Sequence, residues 1–361
     1  MADDSVISPQ EWPLERQCDF ISRVYGLWNS GLTVVTFAEK GEGPLAQFRY
    51  NTLHMHQRAL FLDGLRKLGI DPKREPPAVV AGKYHFFSNA LGGLDMEYVE
   101  VSPKKVWVRY NAPFGPVGTG WLAIPPSSGR VIFAAWHSYN GELLDCPRLG
   151  FVLARGFSEG EPYAEGYFQE YDYDLKPEEW IKYDLAATMP EFDPEKAPKL
   201  DPEAWPLERR AKAKRNFARG YVEEAITSML QLFGVPSTTH IISRAFQGIA
   251  TQYGKELLAE LDIRDTSARS LAYFTKILSD MAGDSVDIDS SEPGRHIVRR
   301  THRRLFPPGQ VPVEIHRAMF SFTTMMARVM SRRIKASLTT LQDEGAPYDE
   351  MVFEDINQLP S

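Results

Sequence analysis

Residues 11–16 read Glu-Trp-Pro-Leu-Glu-Arg, and residues 204–209 read Ala-Trp-Pro-Leu-Glu-Arg. The shared pentapeptide recurs at an offset of 193, and a pentapeptide that contains Trp seldom recurs by chance. The same offset relates Leu68–Asp71, read Leu-Gly-Ile-Asp, to Leu261–Arg264, read Leu-Asp-Ile-Arg. These matches predict that the chain consists of two diverged copies of one fold.

A second pair of matches lies toward the end of each copy. Gly160–Tyr163 reads Gly-Glu-Pro-Tyr and resembles Gly345–Tyr348, which reads Gly-Ala-Pro-Tyr. Two further positions repeat at the same offset of 185, namely Glu165 with Glu350 and Phe168 with Phe353. The predicted copies therefore extend over most of the chain, and we expect them to pack about a pseudo-twofold axis.

Hydrophobic periodicity and turn residues predict the elements of each copy. In the first copy we expect helices at 14–30, ending at Gly31, at 45–68 and at 127–144, and strands at 96–101, 105–110, 148–156 and 163–173. In the second copy we expect helices at 206–233, 238–261, 266–282 and 312–335, and strands at 285–289, 295–300, 336–342 and 348–354. Helices segregated beside antiparallel strand pairs define an α+β fold.

The domain boundaries follow from the repeat and from the distribution of proline. We expect a first α+β repeat at 1–175 and a second, more helical repeat at 203–361 with a structural or dimerising role. Residues 176–202 between them are rich in proline and charge, which predicts a linker.

The charge balance argues against a nucleic-acid partner. The formal net charge is −7, whereas a nucleic-acid footprint needs a basic excess. Two basic runs are present, Arg209–Arg215 and Arg295–Arg304. We expect the first to be the solvated face of a helix and the second to be a solvent-facing strand, with an anion site as the alternative for the second.

Cysteine content and hydropathy predict the compartment. Only Cys18 and Cys146 are present, so a disulfide framework is excluded and a reducing, cytoplasmic setting is expected. No run of eighteen apolar residues occurs and the first residues are acidic, so neither a membrane span nor secretion is expected.

Chemistry-bearing residues are concentrated in the first copy and lack clear counterparts in the second. They are Tyr84, His85, His137, Asp145, Cys146 and Arg148. A thiol at Cys146 near an imidazole and an Arg could act as a nucleophile, with His137 as its base. The alternative is a buried structural Cys and a hydrogen-bonded His, because a spacing of nine residues does not make the two neighbours.

A metal site is a further alternative for the histidines. His54 and His56 would face one side of a strand and chelate a metal, but on the helix predicted there they diverge by about 200°. His85 and His137 could complete a larger set of ligands. We therefore expect no cofactor, with a metal held by these four histidines as the alternative.

Two other segments have structural interpretations. Gly115–Gly120 lacks the Lys-Ser/Thr of a phosphate-binding loop and is predicted to be a shaped loop. The apolar stripe of the helix at 312–335 is predicted to form core or a dimer interface, with adaptable ligand contacts as the alternative. Its members are Met319, Phe320, Phe322, Met325, Met326, Val329 and Met330.

The element order and two stretches, Asp145–Phe151 and Tyr163–Phe168, resemble the L-2-amino-thiazoline-4-carboxylic acid hydrolase family and the related 4-vinyl reductase small-ligand domains. The resemblance covers one α+β unit at a time. It implies that the family's Cys in a helix-to-strand turn corresponds to Cys146. The family's second Cys, in its last strand, falls near Gly166 in this sequence. The implied chemistry is ring opening or bond cleavage on a small organic molecule.

These observations lead to two hypotheses about function. The first is a hydrolase or lyase acting on a small aromatic or heterocyclic compound. Its catalytic residues would be His137, Cys146, His85 and Tyr84, and its substrate-binding residues would be Arg109, Trp136 and Arg148. The second is a non-catalytic binder of a small hydrophobic ligand, whose pocket is formed by the aromatic and Met surfaces. A homodimer is compatible with either.

Overall fold

The structure, a computed structural model, describes residues 12–112, 125, 127–157 and 160–356. The Gly115–Gly120 loop falls outside these residues. Among the described helices, none is both long enough and apolar enough to cross a membrane.

The chain divides into two compact units, which we name by their place in the sequence. The central unit consists of residues 40–228. The terminal unit consists of residues 12–39 together with 229–356. The predicted α+β class, with antiparallel strand pairs, is confirmed.

The central unit contains a sheet and the helices that cover one of its faces. The helices are α2 (Glu42–Leu68), α3 (Pro77–Leu91), α4 (Ser127–His137) and α5 (Asn140–Leu143), and the strands are β1 (Met96–Ser102), β2 (Lys105–Asn111), β3 (Leu149–Arg155), β4 (Tyr163–Glu170) and β5 (Ile181–Tyr183). The sheet order is β1-β2-β4-β3-β5. All neighbours are antiparallel except β5, which runs parallel to β3.

The core of the central unit lies between the sheet and α3 and α4. On β2, alternate residues Val106, Val108 and Tyr110 point into it, as the period of two of a strand requires. Phe133 and Trp136 from α4 belong to the same buried cluster. Burial of such large apolar surfaces is the main stabilising term of a fold of this kind.

The terminal unit has a sheet of its own. The helices of the second half are α6 (Leu207–Glu260), α7 (Ala268–Ala282), α8 (Val313–Met319) and α9 (Ser321–Met330), the strands are β6 (Ser285–Glu292), β7 (Arg295–His302), β8 (Ile334–Thr340) and β9 (Asp349–Asp355), and α1 (Leu14–Lys40) opens the chain. The sheet order is β6-β7-β9-β8. Residues 207–228 of α6 belong to the central unit and the rest of α6 to the terminal unit. The helical backbone of α6 is interrupted at Gly234, which has φ 70° and ψ 174°.

The repeated pentapeptides take up the same local structure. Each precedes a helix that begins at its Leu, α1 at Leu14 and α6 at Leu207. In the first, the Arg16 guanidinium lies 3.7 Å from the ring centroid of Trp12, and in the second, Arg209 lies 4.0 Å from that of Trp205.

The second pair of matching stretches, Leu68–Asp71 and Leu261–Arg264, also adopts one local structure in both places. It ends α2 and α6 with a residue in the left-handed region, Gly69 at φ 72° and Asp262 at φ 54°. In the first case the N–H of Ile70 donates to a carbonyl five residues back at 2.9 Å, and Ile263 does the same at 2.9 Å. This is the hydrogen bond that closes a Schellman helix end.

Three of the predicted helix boundaries are wrong. The first helix does not end at Gly31 but continues to Lys40. Gly31 allows close packing inside the helix, since a Cβ at this position would lie 3.0 Å from Cγ1 of Ile249. The helix predicted at 127–144 breaks between α4 and α5. The helix predicted at 312–335 is split into α8 and α9 and ends at Ser331, whose extended backbone leads into β8.

The Pro-rich segment at 176–202 contains ordered structure. Residues 177–179 form a 3-10 turn, and β5 adds to the sheet of the central unit. Met189 is buried against Trp107 and Tyr167 on the sheet face opposite the helices. The segment therefore covers apolar surface of the central unit in addition to joining two parts of the chain.

Gly166 on β4 gives a test of the packing of the central sheet. A Cβ there would lie 2.4 Å from the carbonyl oxygen of Val152 and 2.5 Å from the ring of Phe151. We expect Gly166→Ala to lower the free energy of unfolding by about 1–3 kcal/mol, the usual cost of overpacking. The measurement is urea unfolding followed by circular dichroism.

Gly220 on α6, in the same unit, provides the matched control. A Cβ at this position meets nothing within 4 Å. Since alanine favours a helix over glycine by about 0.5–1 kcal/mol, Gly220→Ala should stabilise the protein slightly. Equal effects of the two substitutions would contradict the packing described for β3 and β4.

Candidate functional site

Two histidines face each other inside the central unit. His85 comes from α3 and His137 from the last turn of α4, and each side chain is about 1% exposed. Their rings are stacked with centroids 4.3 Å apart. The ring of Phe151 stacks on the other side of His137 at 4.1 Å. We call this group the buried histidine cluster.

Both ring nitrogens of His137 are engaged. Its Nε2 lies 2.7 Å from the hydroxyl of Tyr110, and its Nδ1 lies 3.3 Å from the carbonyl oxygen of Phe133. A carbonyl can only accept, so Nδ1 carries the proton and Nε2 accepts from the hydroxyl of Tyr110. His137 is therefore fixed as one neutral tautomer.

A chain of amides holds His85. The Nδ2 of Asn140 donates to Nε2 of His85 at 2.9 Å, and the Nε2 of Gln57 donates to Oδ1 of Asn140 at 2.5 Å. The break between α4 and α5 places Asn140 at the first residue of α5, where its side chain reaches His85. All members of this chain are buried and satisfied, as buried polar groups must be.

Burial keeps both imidazoles neutral. It lowers the pKa of His85 to about 3, an effect that the hydrogen bond from Asn140 partly offsets. It also lowers the pKa of His137 well below its ordinary value, and the adjacent His85 lowers it further. At neutral pH both rings are therefore uncharged.

Cys146, the predicted nucleophile, lies in the turn between α5 and β3 and is 7% exposed. Burial raises the pKa of its thiol, although the backbone N–H of Arg148 partly opposes the shift. The thiolate, which is the reactive form, is therefore disfavoured. Since both nitrogens of His137 are engaged elsewhere, this arrangement does not supply Cys146 with a base.

The predicted anion-binding arginines are paired with carboxylates. Arg109 donates to Glu165 at 2.8 Å and to Glu97 at 2.7 Å. Its guanidinium also lies 4.6 Å from the ring centroid of Tyr163. Arg148 donates to Glu170 at 2.7 Å, with its side chain 46% exposed. A substrate anion would have to displace these partners.

The two predicted aromatic residues, Tyr84 and Trp136, belong to the surroundings of the buried histidine cluster. Tyr84 meets His85 edge-on at 5.2 Å, and Trp136 is stacked with Tyr110 at 6.2 Å. Burial raises the pKa of the Tyr84 hydroxyl, and Glu224 adds to the shift. Tyr84 is therefore a weaker acid than a free tyrosine.

His54 and His56, the other two histidines of the predicted metal set, lie in separate environments. As predicted, both lie on a helix, α2. His56 is 2.8 Å from the carboxylate of Glu224, and the ring of His54 packs on that of Tyr139 at 4.2 Å. Within the described residues, no group of three or more His, Cys, Asp or Glu side chains is placed to hold a metal ion.

The structure thus brings together four of the predicted residues, Tyr84, His85, Trp136 and His137. It adds residues that sequence reasoning missed, because Gln, Asn, Tyr and Phe carry no motif that distinguishes a cluster member from other residues. These are Gln57, Tyr110, Asn140, Phe151 and Phe168.

The terminal unit contains an open groove of about 450 Å³. Its apolar surface comes from the end of α6, the end of α9 and Ile263, and its polar rim comes from Lys255 of α6 and the loop that follows α6. The lining residues are Lys255, Leu258, Ala259, Asp262, Ile263, Arg264, Asp265, Thr266, Val329 and Met330. Val329 and Met330 belong to the predicted apolar stripe. We call this feature the α6–α9 groove.

Short-range contacts fix the walls and the rim of the α6–α9 groove. α9 approaches α6 closely at Gly254, where a Cβ would lie 2.7 Å from Sδ of Met326. Asp262 accepts from Nε of Arg264 at 2.8 Å. The hydroxyls of two serines bond Asp265, and that of Ser267 is the main cause of the lowered pKa of its carboxyl. These contacts hold in place the residues around the groove.

Comparisons with protein-family models, with curated proteins and with solved structures found no match for this chain. The resemblance to the thiazoline-carboxylate hydrolase family is neither supported nor contradicted by them.

The buried histidine cluster predicts a pH-dependent stability. Because folding depresses the pKa of His137, the unfolded chain binds a proton below about pH 6.5 that the folded chain rejects. Stability is therefore lost as the pH falls, by about 1.4 kcal/mol per pH unit for each such histidine. We expect His137→Leu to make the slope of unfolding free energy between pH 7 and pH 5 shallower by about that amount.

His240, on α6, serves as the control because its side chain is 57% exposed. His240→Gln should leave the slope unchanged. If His137→Leu and the natural protein lose stability at the same rate with falling pH, then His137 is not excluded from protonation in the folded state. The measurement is urea unfolding at a series of pH values.

The hydroxyl of Tyr110 predicts a separate effect at neutral pH. Tyr110→Phe removes the donor to Nε2 of His137 and leaves a buried acceptor, which costs about 1–3 kcal/mol. Tyr173→Phe removes a hydroxyl that bonds Lys182 at the surface and should cost less than about 0.5 kcal/mol. Thermal unfolding of the two variants gives the comparison, and a neutral Tyr110→Phe would contradict the bond.

Proposed function

We propose that this protein is a non-catalytic binder of a small, mainly apolar organic molecule, and that the α6–α9 groove is its binding site. The observation that carries the proposal is the groove itself, a cleft whose apolar walls meet a charged and hydroxylated rim. Its volume of about 450 Å³ falls within the range of about 300–1,000 Å³ that is typical of small-molecule sites.

The lining of the groove supports a ligand with an apolar body. Leu258, Ile263 and Met330 offer aliphatic and thioether surface. A Met side chain adapts its shape to flat or irregular molecules. The rim, with Lys255, Thr266 and the Asp262–Arg264 ion pair, offers polar contacts that can orient one end of the ligand.

The contacts of the predicted catalytic residues favour binding over catalysis. His85 and His137 are buried and neutral, both ring nitrogens of His137 are engaged, and burial disfavours the thiolate of Cys146. Bond cleavage by these residues, which the family resemblance implies, stays a prediction. It would need the cluster to open, because a catalytic base must come within hydrogen-bond reach of its substrate.

We also propose that the two halves are diverged copies of one unit. The corresponding strands follow the same order, β1-β2-β4-β3 and β6-β7-β9-β8. The ion pair of Arg109 with Glu165 has a counterpart in Arg299 with Glu350, at 2.9 Å. Arg299 also lies 5.5 Å from the ring centroid of Tyr348, as Arg109 lies near Tyr163. The groove then represents a specialisation of the second copy.

The probe 1-anilinonaphthalene-8-sulfonate, a fluorescent aromatic sulfonate, tests the binding site. We expect saturable binding of one probe molecule per chain, with fluorescence enhancement caused by the apolar walls. Thr266→Trp should fill the groove from its rim and weaken binding at least about tenfold, which is 1.4 kcal/mol. Isothermal titration calorimetry gives the stoichiometry.

Thr301 on β7 supplies the control, because it is exposed, lies in the same unit and is not part of the groove lining. Thr301→Trp should bind the probe as the natural protein does. Equal binding by both Trp variants would show that the probe binds elsewhere, and the proposal would then fail.

A further inference from the structure

Each half of the chain opens with a helix that packs in the unit containing the other half's sheet. Residues 14–39 of α1 lie in the terminal unit, with 229–356, although they precede the first sheet in the sequence. Residues 207–228 of α6 lie in the central unit, with 40–206, although they precede the second sheet. Both helices begin at the Leu of the repeated pentapeptide.

The contacts of α1 within the terminal unit are extensive. The ring of Trp28 stacks on Phe246 of α6 at 4.7 Å and meets Phe322 of α9 edge-on at 5.4 Å. Three residues later, Gly31 lets the backbones approach, since its Cβ would lie 3.4 Å from that of Ala245. α1 is therefore packed as a core helix of the terminal unit.

Ion pairs in the first half and in the last turn of α1 add to this packing. Arg23 donates to Glu256 at 2.8 Å and also contacts Glu260. Toward the end of α1, Glu39 pairs with Arg244. All three partners lie on the part of α6 that belongs to the terminal unit.

The first part of α6 is packed into the central unit in the same way. Glu224 lies 2.8 Å from Nδ1 of His56, and the ring of Tyr221 stacks on that imidazole at 4.2 Å. The hydroxyl of Ser228 donates to the carbonyl of Phe48 at 3.3 Å. His56 and Phe48 are both buried residues of α2.

We propose that the two halves of this chain exchange their opening helices, so that each unit completes its core only with a helix supplied by the other half. Each unit therefore needs, for its own folding, a helix that lies in the other half of the sequence. A change in α1 destabilises the terminal unit and spares the first sheet, although α1 lies in the same half of the sequence as that sheet. This inference rests on unit membership and stands independently of the proposed ligand.

Hydrogen–deuterium exchange of the full-length chain, read by mass spectrometry, tests the proposal. In Trp28→Ala we expect exchange at least tenfold faster in peptides from β6 to β9, with peptides from β1 to β4 unchanged. In Tyr221→Ala we expect the reverse, with faster exchange in β1 to β4. Trp28→Phe, which keeps an aromatic ring for stacking, should restore most of the protection.

Two results of the hydrogen-exchange experiment would contradict the proposed exchange of helices. Acceleration by Trp28→Ala in β1 to β4 that equals or exceeds the acceleration in β6 to β9 would overturn the exchange, as would no acceleration in either. Where Trp28→Ala does not fold, Trp28→Leu, which keeps a branched apolar side chain and loses the stacking, is measured in the same two groups of peptides. Probe binding to the α6–α9 groove is measured separately, so the failure of either proposal is recognisable.

Discussion

The requirement that buried polar groups find partners governs the interior of both units, because an unpaired group buried away from water costs about 1–3 kcal/mol and a buried charge more. In the buried histidine cluster of the central unit the requirement is met by neutral groups, with Tyr110 on β2 bonded to His137. In the terminal unit it is met by ions. Arg303, only 1% exposed, bonds both oxygens of Asp349 at 2.8 and 2.9 Å and also contacts Asp343.

Tyr110 and Arg300, one from each unit, lie on strands that are second in the order of their sheets, β2 and β7. Tyr110 pairs with Ala164 across β2 and β4, and Arg300 pairs with Asp349 across β7 and β9. The small side chain of Ala164 leaves room for aromatic rings beside Tyr110, whereas the carboxylate of Asp349 pairs with the guanidinium of Arg300. The nearby His316 has its pKa lowered to about 4, first by burial and then by Arg303. The residue paired with Tyr110 is thus small and apolar, and the residue paired with Arg300 is a carboxylate.

Much of the fold could be predicted from the sequence, because the signals that define it are local. The repeated pentapeptide and the left-handed helix ends at Gly69 and Asp262 are short-range features, and they take the same form in both places. The strand pairs were predictable from their period of two. The extension of α1 past Gly31 was not, because a glycine ends a helix or allows close packing according to a neighbour more than two hundred residues away.

The chemistry of the predicted site could not be derived from the sequence, because it depends on environment rather than on residue identity. A histidine at position 137 is equally consistent with a base and with a structural hydrogen-bonding group, and the burial that keeps its ring neutral is a property of the fold. The same holds for the basic run at Arg295–Arg304, where Arg299 and Arg300 are neutralised by carboxylates on β9. Partners of this kind come from strands far apart in the sequence. Of the apolar stripe, Phe322, Met326 and Met330 are buried, and Val329 and Met330, at its end, line the α6–α9 groove. The sequence predicts that these residues belong to one apolar stripe, but it does not predict that they lie beside the loop that follows α6, because that depends on packing between elements far apart in the sequence.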